Sequence, residues 1–391
     1  MDTQNHSIKE RFVAFMTNPH TVFWLGFVIA AVATSLELFR GRAENYVDYR
    51  DATLNFWNGI SSYTPEFVAA HGRYFIYSPV FNILFAPFAF LPFYVGGYLW
   101  NLLGYTVFFF AVRTLPETLS RRSVPMLLFL LLFVEQSVFC FQYNLLVTCI
   151  FILAWSLLER DRAFWAVLLI MLSVTTKIYG AVELVLLLCY PRFWKNMGYA
   201  VLCGVGLLLL PAVQCGLDGL LPLYQDWFAM LTDHHEMTGP YYSLIFAWPV
   251  TAFTLPYMRW FQGAVLLVLG VLFFLCRRHW GDFRFKTGVL ATVMMYIVVM
   301  SEAAEFTTYT IAVTGYALWY FLRDRHSVFD RVLFWAVFVL FGILPIDVFC
   351  PSSVCLFVHT KLWLGVWVFT VAWGRVIYDT VRPALGAKSD Y

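Results

Sequence analysis

The chain has 391 residues, 61% of them hydrophobic and 13% charged, about half the ~25% charged share of a soluble domain. That composition excludes a soluble globular protein, and a formal net charge of +2 gives no argument for nucleic-acid binding. The fold class it points to is an all-α polytopic membrane protein. Runs such as "VFWLGFVIAAVATSLELF", "VLCGVGLLLLPAVQCGL" and "GAVLLVLGVLFFLC" are long enough to cross about 30 Å of hydrocarbon as helices.

Taken in chain order, "MDTQNHSIKERFVAFMTNPH" is too polar for a secretory signal, and no small-residue cleavage site follows the first apolar run. That run reads as a retained anchor. Basic clusters mark the cytoplasmic side: Lys9 and Arg11, "ERDR" (159–162), "PRFWK" (191–195), "CRRHWGDFRFK" (276–286), "LRDRHSVFDR" (322–331) and Arg375 to Lys388. The residues linking the helix pairs between them fall on the other side: "TTKIYG" (175–180), the stretch 223–243, "SEAAEFTTY" (301–309) and "DVFCPSSVC" (347–355). With the N-terminus (1–21) inside, the loop over about 40–77 is outside and the tail 378–391 inside. All 391 residues then form one membrane domain, with 11 to 13 crossings expected.

Four apolar pieces lie between that loop and "ERDR" (about 77–91, 93–112, 124–140 and 142–158), where the charge map needs an odd number of crossings. One of them therefore dips in and returns, or two form one broken span. The piece around 243–256 raises the same question. Irregular backbone at membrane depth is tolerated only where it is buried in protein or lines a cavity. No internal repeat is visible, which disfavours a secondary transporter.

Five polar constellations lie on the outer side. In "ENYVDYRDA", Asp48 and Asp51 are either solvated loop charges or a general base for an acceptor hydroxyl. Arg50 pins a neighbouring acid or meets a phosphate. Lys177, at the outer end of an apolar helix, either snorkels or contacts a phosphate. Gln142 and Asn144 either bond helix to helix or line a sugar site. In "TDHHEMTG", adjacent His234 and His235 point in different directions on a helix, so a two-histidine metal site is weak. Glu302 and Glu305 share a face if their segment is helical, and two acids leaving a membrane helix are expensive to bury without a role. Cys350 and Cys355 could close a small disulfide loop if they face an oxidising periplasm; five of the other cysteines lie in or beside apolar runs. No metal-type cysteine and histidine spacing occurs.

Segments of the chain in this order resemble glycosyltransferase family 87, membrane enzymes of the GT-C fold that include polyprenyl-phosphate-mannose-dependent mannosyltransferases. The likeness runs through "NYVDYRDATLNFWNGISSY", "RYFIYSPVFNILFAPFAFLPFYVGGYLWNLLGY", "FQYNLLVTCIFILAWSLLERDR", "LSVTTKIYGAVELVLLLCYPRFW" and "SEAAEFTTYTIAVTGYALWYF", roughly residues 40–380, and is greatest to a Bacteroidetes-like branch. The resemblance implies a polyprenyl-phosphate-linked hexose donor such as mannose, a lipid or glycan acceptor, an inverting reaction with one carboxylate base, and an active site facing the periplasm from the bacterial inner membrane. A phosphate leaving group needs cationic stabilisation rather than a general acid. The implied set is Asp48, Glu305 and Asp51 for the base, Lys177 and Arg50 for the phosphate, and Asn45, Gln142, Asn144, His234, His235 and Glu302 for the sugar or acceptor. No cofactor is implied, and a divalent metal is not favoured. One departure stands out: the family's acidic position falls on Asn45, and an amide cannot act as a base. A non-catalytic binder or translocator of lipid-linked sugars is the alternative this departure keeps open.

Overall fold

The computed structural model describes residues 8–234, 242–254 and 257–385, and every regular element among them is helical. The first half comprises α1 (Ile8–Met16), α2 (Pro19–Phe39), α3 (Glu44–Trp57), α4 (Pro65–His71), α5 (Pro79–Ala89), α6 (Phe93–Arg113), α7 (Glu117–Ser120), α8 (Ser123–Phe139), α9 (Asn144–Leu158) and α10 (Ala163–Lys177). A tighter helical segment, Tyr179–Cys189, leads to α11 (Phe193–Leu209), α12 (Ala212–His234), α13 (Thr251–Thr254), α14 (Met258–Leu275) and α15 (Phe283–Val299). The chain closes with α16 (Tyr309–Leu322), α17 (Val328–Val337), α18 (Ser352–Leu356) and α19 (Leu364–Val381).

Three helices, α2, α6 and α14, are long and apolar enough to cross a membrane unaided, and up to five spans result if each of two bent helix pairs counts as one. The bent pairs are α11 with Ala212–Thr232, at 100°, and Ser352–Lys361 with α19, at 58°. The rest of the apolar sequence is divided among shorter helices, so the 11 to 13 expected crossings are not made by full-length helices. A 15- to 17-residue helix reaches about 22–25 Å at 1.5 Å per residue. Tyr179–Cys189 connects the two ends of the bundle with only 11 residues, because a tighter helix rises about 2.0 Å per residue.

The odd-crossing question has a structural answer. α5 has 11 residues and lies against α3 instead of crossing. Tyr49 meets Phe81 and Phe85 edge-on at 5.1 and 5.5 Å, and Thr53 donates to Asn82 at 3.3 Å. That leaves α6, α8 and α9 to run between the two ends of the bundle, of which α6 alone is long and apolar enough to cross a membrane unaided. Among the described residues of the piece around 243–256, only the short helices Leu244–Phe246 and Thr251–Thr254 form. Tyr242 donates its backbone N–H to Ala304 O at 2.8 Å and accepts from Tyr309 OH at 2.6 Å, which seats it on the 301–309 turn.

The basic loops converge at one end. Arg122 donates to Phe321 O and Arg323 O at 2.8 and 2.7 Å, Arg160 donates to Thr114 O, and Lys286 pairs with Glu159 at 2.6 Å. The α8–α9 turn, the end of α10 and the 301–309 turn gather at the other end, as the charge map requires. Cys350 and Cys355 are free thiols, which corrects the disulfide expectation: Cys355 turns into the bundle at 5% exposure while Cys350 stays half-buried in the preceding turn.

Candidate active site

"ENYVDYRDATLNFW" folds as α3 because Tyr46, Tyr49, Thr53 and Phe56 recur at i, i+3, i+7 and i+10 and bury one face. The expected loop of solvated charges is therefore an amphipathic helix. Tyr46 donates to Phe93 O at 2.9 Å, and Tyr49 shares a hydrogen bond with Tyr77 OH at 2.9 Å. This packing carries Asn45 to the turn between α8 and α9.

That turn is the centre of the site. Asn45 Nδ2 donates to Cys140 O at 2.7 Å. Phe141 adopts a positive φ of 53° and is fully buried, which swings the next residue, Gln142, outward. Gln142 Nε2 donates to Glu305 Oε2 at 3.5 Å, Asn144 Nδ2 to Gln142 Oε1 at 3.3 Å, and Lys177 Nζ to Asn144 Oδ1 at 2.9 Å. Lys177, Asn144, Gln142 and Glu305 thus form one polar chain drawn from three separated segments. Lys177 does not snorkel. Its ammonium is turned inward over the rings of Tyr77 and Tyr179, at 5.3 and 4.9 Å.

Glu305 is exposed; its carboxylate accepts from Gln142 and Thr307 at 3.5 Å, its N–H donates to Thr308 Oγ1 at 3.3 Å and its backbone oxygen accepts from Thr308 N at 3.0 Å. The 301–305 segment is not helical, so Glu302 and Glu305 do not share a helix face. Glu302 is half-buried in the same turn.

The acids of α3 meet partners that sequence reasoning missed. Arg73 Nε pairs with Asp48 Oδ2 at 2.5 Å while its Nη2 reaches Glu44 at 3.0 Å. Only 9% of the Asp48 side chain is exposed. Burial pushes its carboxyl up to about 6, against the lowering charges of Arg73 and His71. Asp51 accepts from His71 Nε2 at 3.2 Å, and that imidazole stacks on Phe67 at 3.9 Å. The available signal was local: Arg73 is a cation just before "YFIYSP" in the same loop as Glu44, Asp48 and Asp51.

Arg50 goes elsewhere. Its guanidinium lies 6.0 Å from the Phe93 ring at the start of α6, and its buried Nε has no hydrogen-bond partner. The two phosphate candidates are thus not joined in one network. His234 closes α12, but its side chain and all of His235 lie outside the described residues.

The arrangement offers an inward-facing ammonium, two amides beside it, an exposed carboxylate at the end of the same chain of contacts, and a buried carboxylate poised near neutrality. Such a set suits binding an anionic group and taking a proton from a hydroxyl.

No curated protein matches the chain. The model of glycosyltransferase family 87 matches residues 75–301, more than half of the chain. The match takes in Gln142, Asn144 and Lys177 but neither α3 nor Glu305. On that match and its helical, apolar architecture, the chain belongs to glycosyltransferase family 87 and is a membrane glycosyltransferase.

Proposed function

We propose that this enzyme moves a hexose such as mannose from a polyprenyl-phosphate donor to a lipid-linked or cell-envelope glycan acceptor, with inversion, on the periplasmic side of a bacterial inner membrane, in a GT-C type fold. The observation that carries the reading is the Lys177–Asn144–Gln142–Glu305 chain beside α3. Lys177 stabilises the departing phosphate, and no leaving-group acid is needed. Gln142 and Asn144 bind sugar hydroxyls. Asp48 is the base, since a carboxyl near 6 is largely ionised at neutral pH and still able to accept a proton. No cofactor or divalent ion enters this scheme.

A second reading assigns the base to Glu305, supported by its exposure and its place at the end of the network. Transfer of radiolabelled sugar from a synthetic polyprenyl-phosphate donor to membrane lipids separates them. Asp48→Asn lowers the rate by about 10²–10⁴-fold and Glu305→Gln by less. The reverse order assigns the base to Glu305. Donor binding without transfer from any common donor would leave a non-catalytic binder or translocator.

A further inference from the structure

A second polar cavity lies at the opposite end of α10 from Lys177, about 22 Å away for a 15-residue helix. It has a volume of about 240 Å³ and opens between the turns 161–165 and 191–196. Its lining carries three cations, Arg162, Arg192 and Lys195, against one carboxylate, Asp161. The guanidinium groups of Arg162 and Arg192 make no ion pair or side-chain hydrogen bond among the described residues, and Lys195 meets only the ring of Tyr199, at 5.5 Å. At the same end Arg160, Arg122 and Lys286 bond to carbonyls or carboxylates, whereas Arg277, Arg278 and Arg325 make no ion pair among the described residues and line no such hollow. Three cations against one carboxylate give the hollow a positive potential that favours an anion.

We propose that this cavity binds a phosphate diester, supplied by the headgroup of an anionic phospholipid in the leaflet opposite the catalytic site. The volume holds about eight waters at ~30 Å³ each, enough for a phosphodiester with part of its glycerol. The lipid source is favoured by what surrounds the hollow. Trp165, in its wall, is 56% exposed and Trp194, one residue before Lys195, is 83% exposed. Exposed tryptophans at the ends of apolar helices belong at the headgroup level of a bilayer. "RAFW" at the start of α10 and "RFW" at the start of α11 repeat the same pairing of a cation with ring anchors. A basic pocket between helices at a membrane face takes anionic headgroups, at about 1 kcal/mol per cation.

Native mass spectrometry of the full-length protein, titrated in non-ionic detergent with phosphatidylglycerol, phosphatidylcholine or sodium phosphate, tests this. The expected result is a phosphatidylglycerol adduct at least about ten-fold tighter than the phosphatidylcholine one, from the cation energies above. The triple variant Arg162→Gln, Arg192→Gln, Lys195→Gln weakens it at least about ten-fold. A control with the same charge change elsewhere, Arg277→Gln, Arg278→Gln, Arg325→Gln, keeps it. Should the first triple variant not fold, the single Arg192→Gln and Lys195→Gln changes, at exposed side chains, each weaken the adduct several-fold. Equal losses in both triple variants, or no loss in the first, overturn the site. Displacement by inorganic phosphate with no preference among lipids keeps a phosphate site but overturns the lipid as its occupant.

Discussion

At Asn45 the side-chain nitrogen donates to the Cys140 carbonyl at 2.7 Å, fastening α3 to the turn that carries Gln142. A carboxylate has no proton for that bond and would face the carbonyl oxygen directly. Asn45 is thus a structural tie between α3 and the α8–α9 turn. Asn45→Asp is expected to lose about 1–3 kcal/mol and to lower transfer rather than restore a better base, as thermal unfolding in detergent and the transfer assay would show. On the proposed assignment of Asp48, one turn on, as the base, the deprotonated form is the active one, so transfer rises with pH through about 6. Arg73 lowers that carboxyl, so Arg73→Gln moves the acidic limb of the pH–rate profile upward. An unmoved limb in that variant would exclude Asp48 as the titrating base. Neither Asn45's bond nor Arg73's pairing is legible in the sequence, because both partners lie on other segments, Cys140 95 residues away and Arg73 25 residues beyond Asp48.

At the scale of elements, the position of α3 depends on how closely α6 passes beneath it. A Cβ on Gly96 would lie 2.3 Å from Phe88 O and 2.4 Å from Tyr46 OH. The carbonyl cannot yield without moving the α5–α6 connection, and the hydroxyl cannot yield without giving up Phe93 O. Gly96→Ala is therefore expected to cost about 1–3 kcal/mol and to reduce transfer by displacing α3, with Gly198→Ala, which meets nothing within 4 Å, as the silent control. Apolar runs in the sequence located α2, α6 and α14 well. They did not separate α5 from a crossing, since an 11-residue apolar helix against α3 and half of a membrane span have the same composition. Charge parity flagged the problem, and only the aromatic packing of Tyr49 against Phe81 and Phe85 resolved it.

Across the whole molecule, the two ends are built on different principles. At the basic end, Asp330 is fully buried and accepts from Arg323 Nη1 at 3.0 Å and Arg375 Nε at 2.9 Å, while Asp379 accepts from Trp319 Nε1 at 3.0 Å and from Arg375 at 3.3 Å. This closed cluster locks α16, α17 and α19 together. Asp330→Ala leaves two buried guanidinium groups short of a partner and is expected to cost about 3–5 kcal/mol, read as a lowered unfolding midpoint with donor affinity unchanged in the protein that remains folded. At the site end Glu305 stays exposed and is reached by Gln142 only at 3.5 Å, which leaves its carboxylate open to a ligand. The sequence by itself determined that the chain is an all-helical membrane protein and which ends of its helices gather with the basic loops and which gather opposite them. Hydrophobic run length and the distribution of arginine and lysine are local properties, readable one segment at a time. Only the tertiary structure decided that Lys177, Asn144, Gln142 and Glu305 join in one chain of contacts, that Arg50 does not, and that Asn45 is a tie rather than a base. Those facts depend on distances between segments scores of residues apart, which packing fixes and no local pattern encodes.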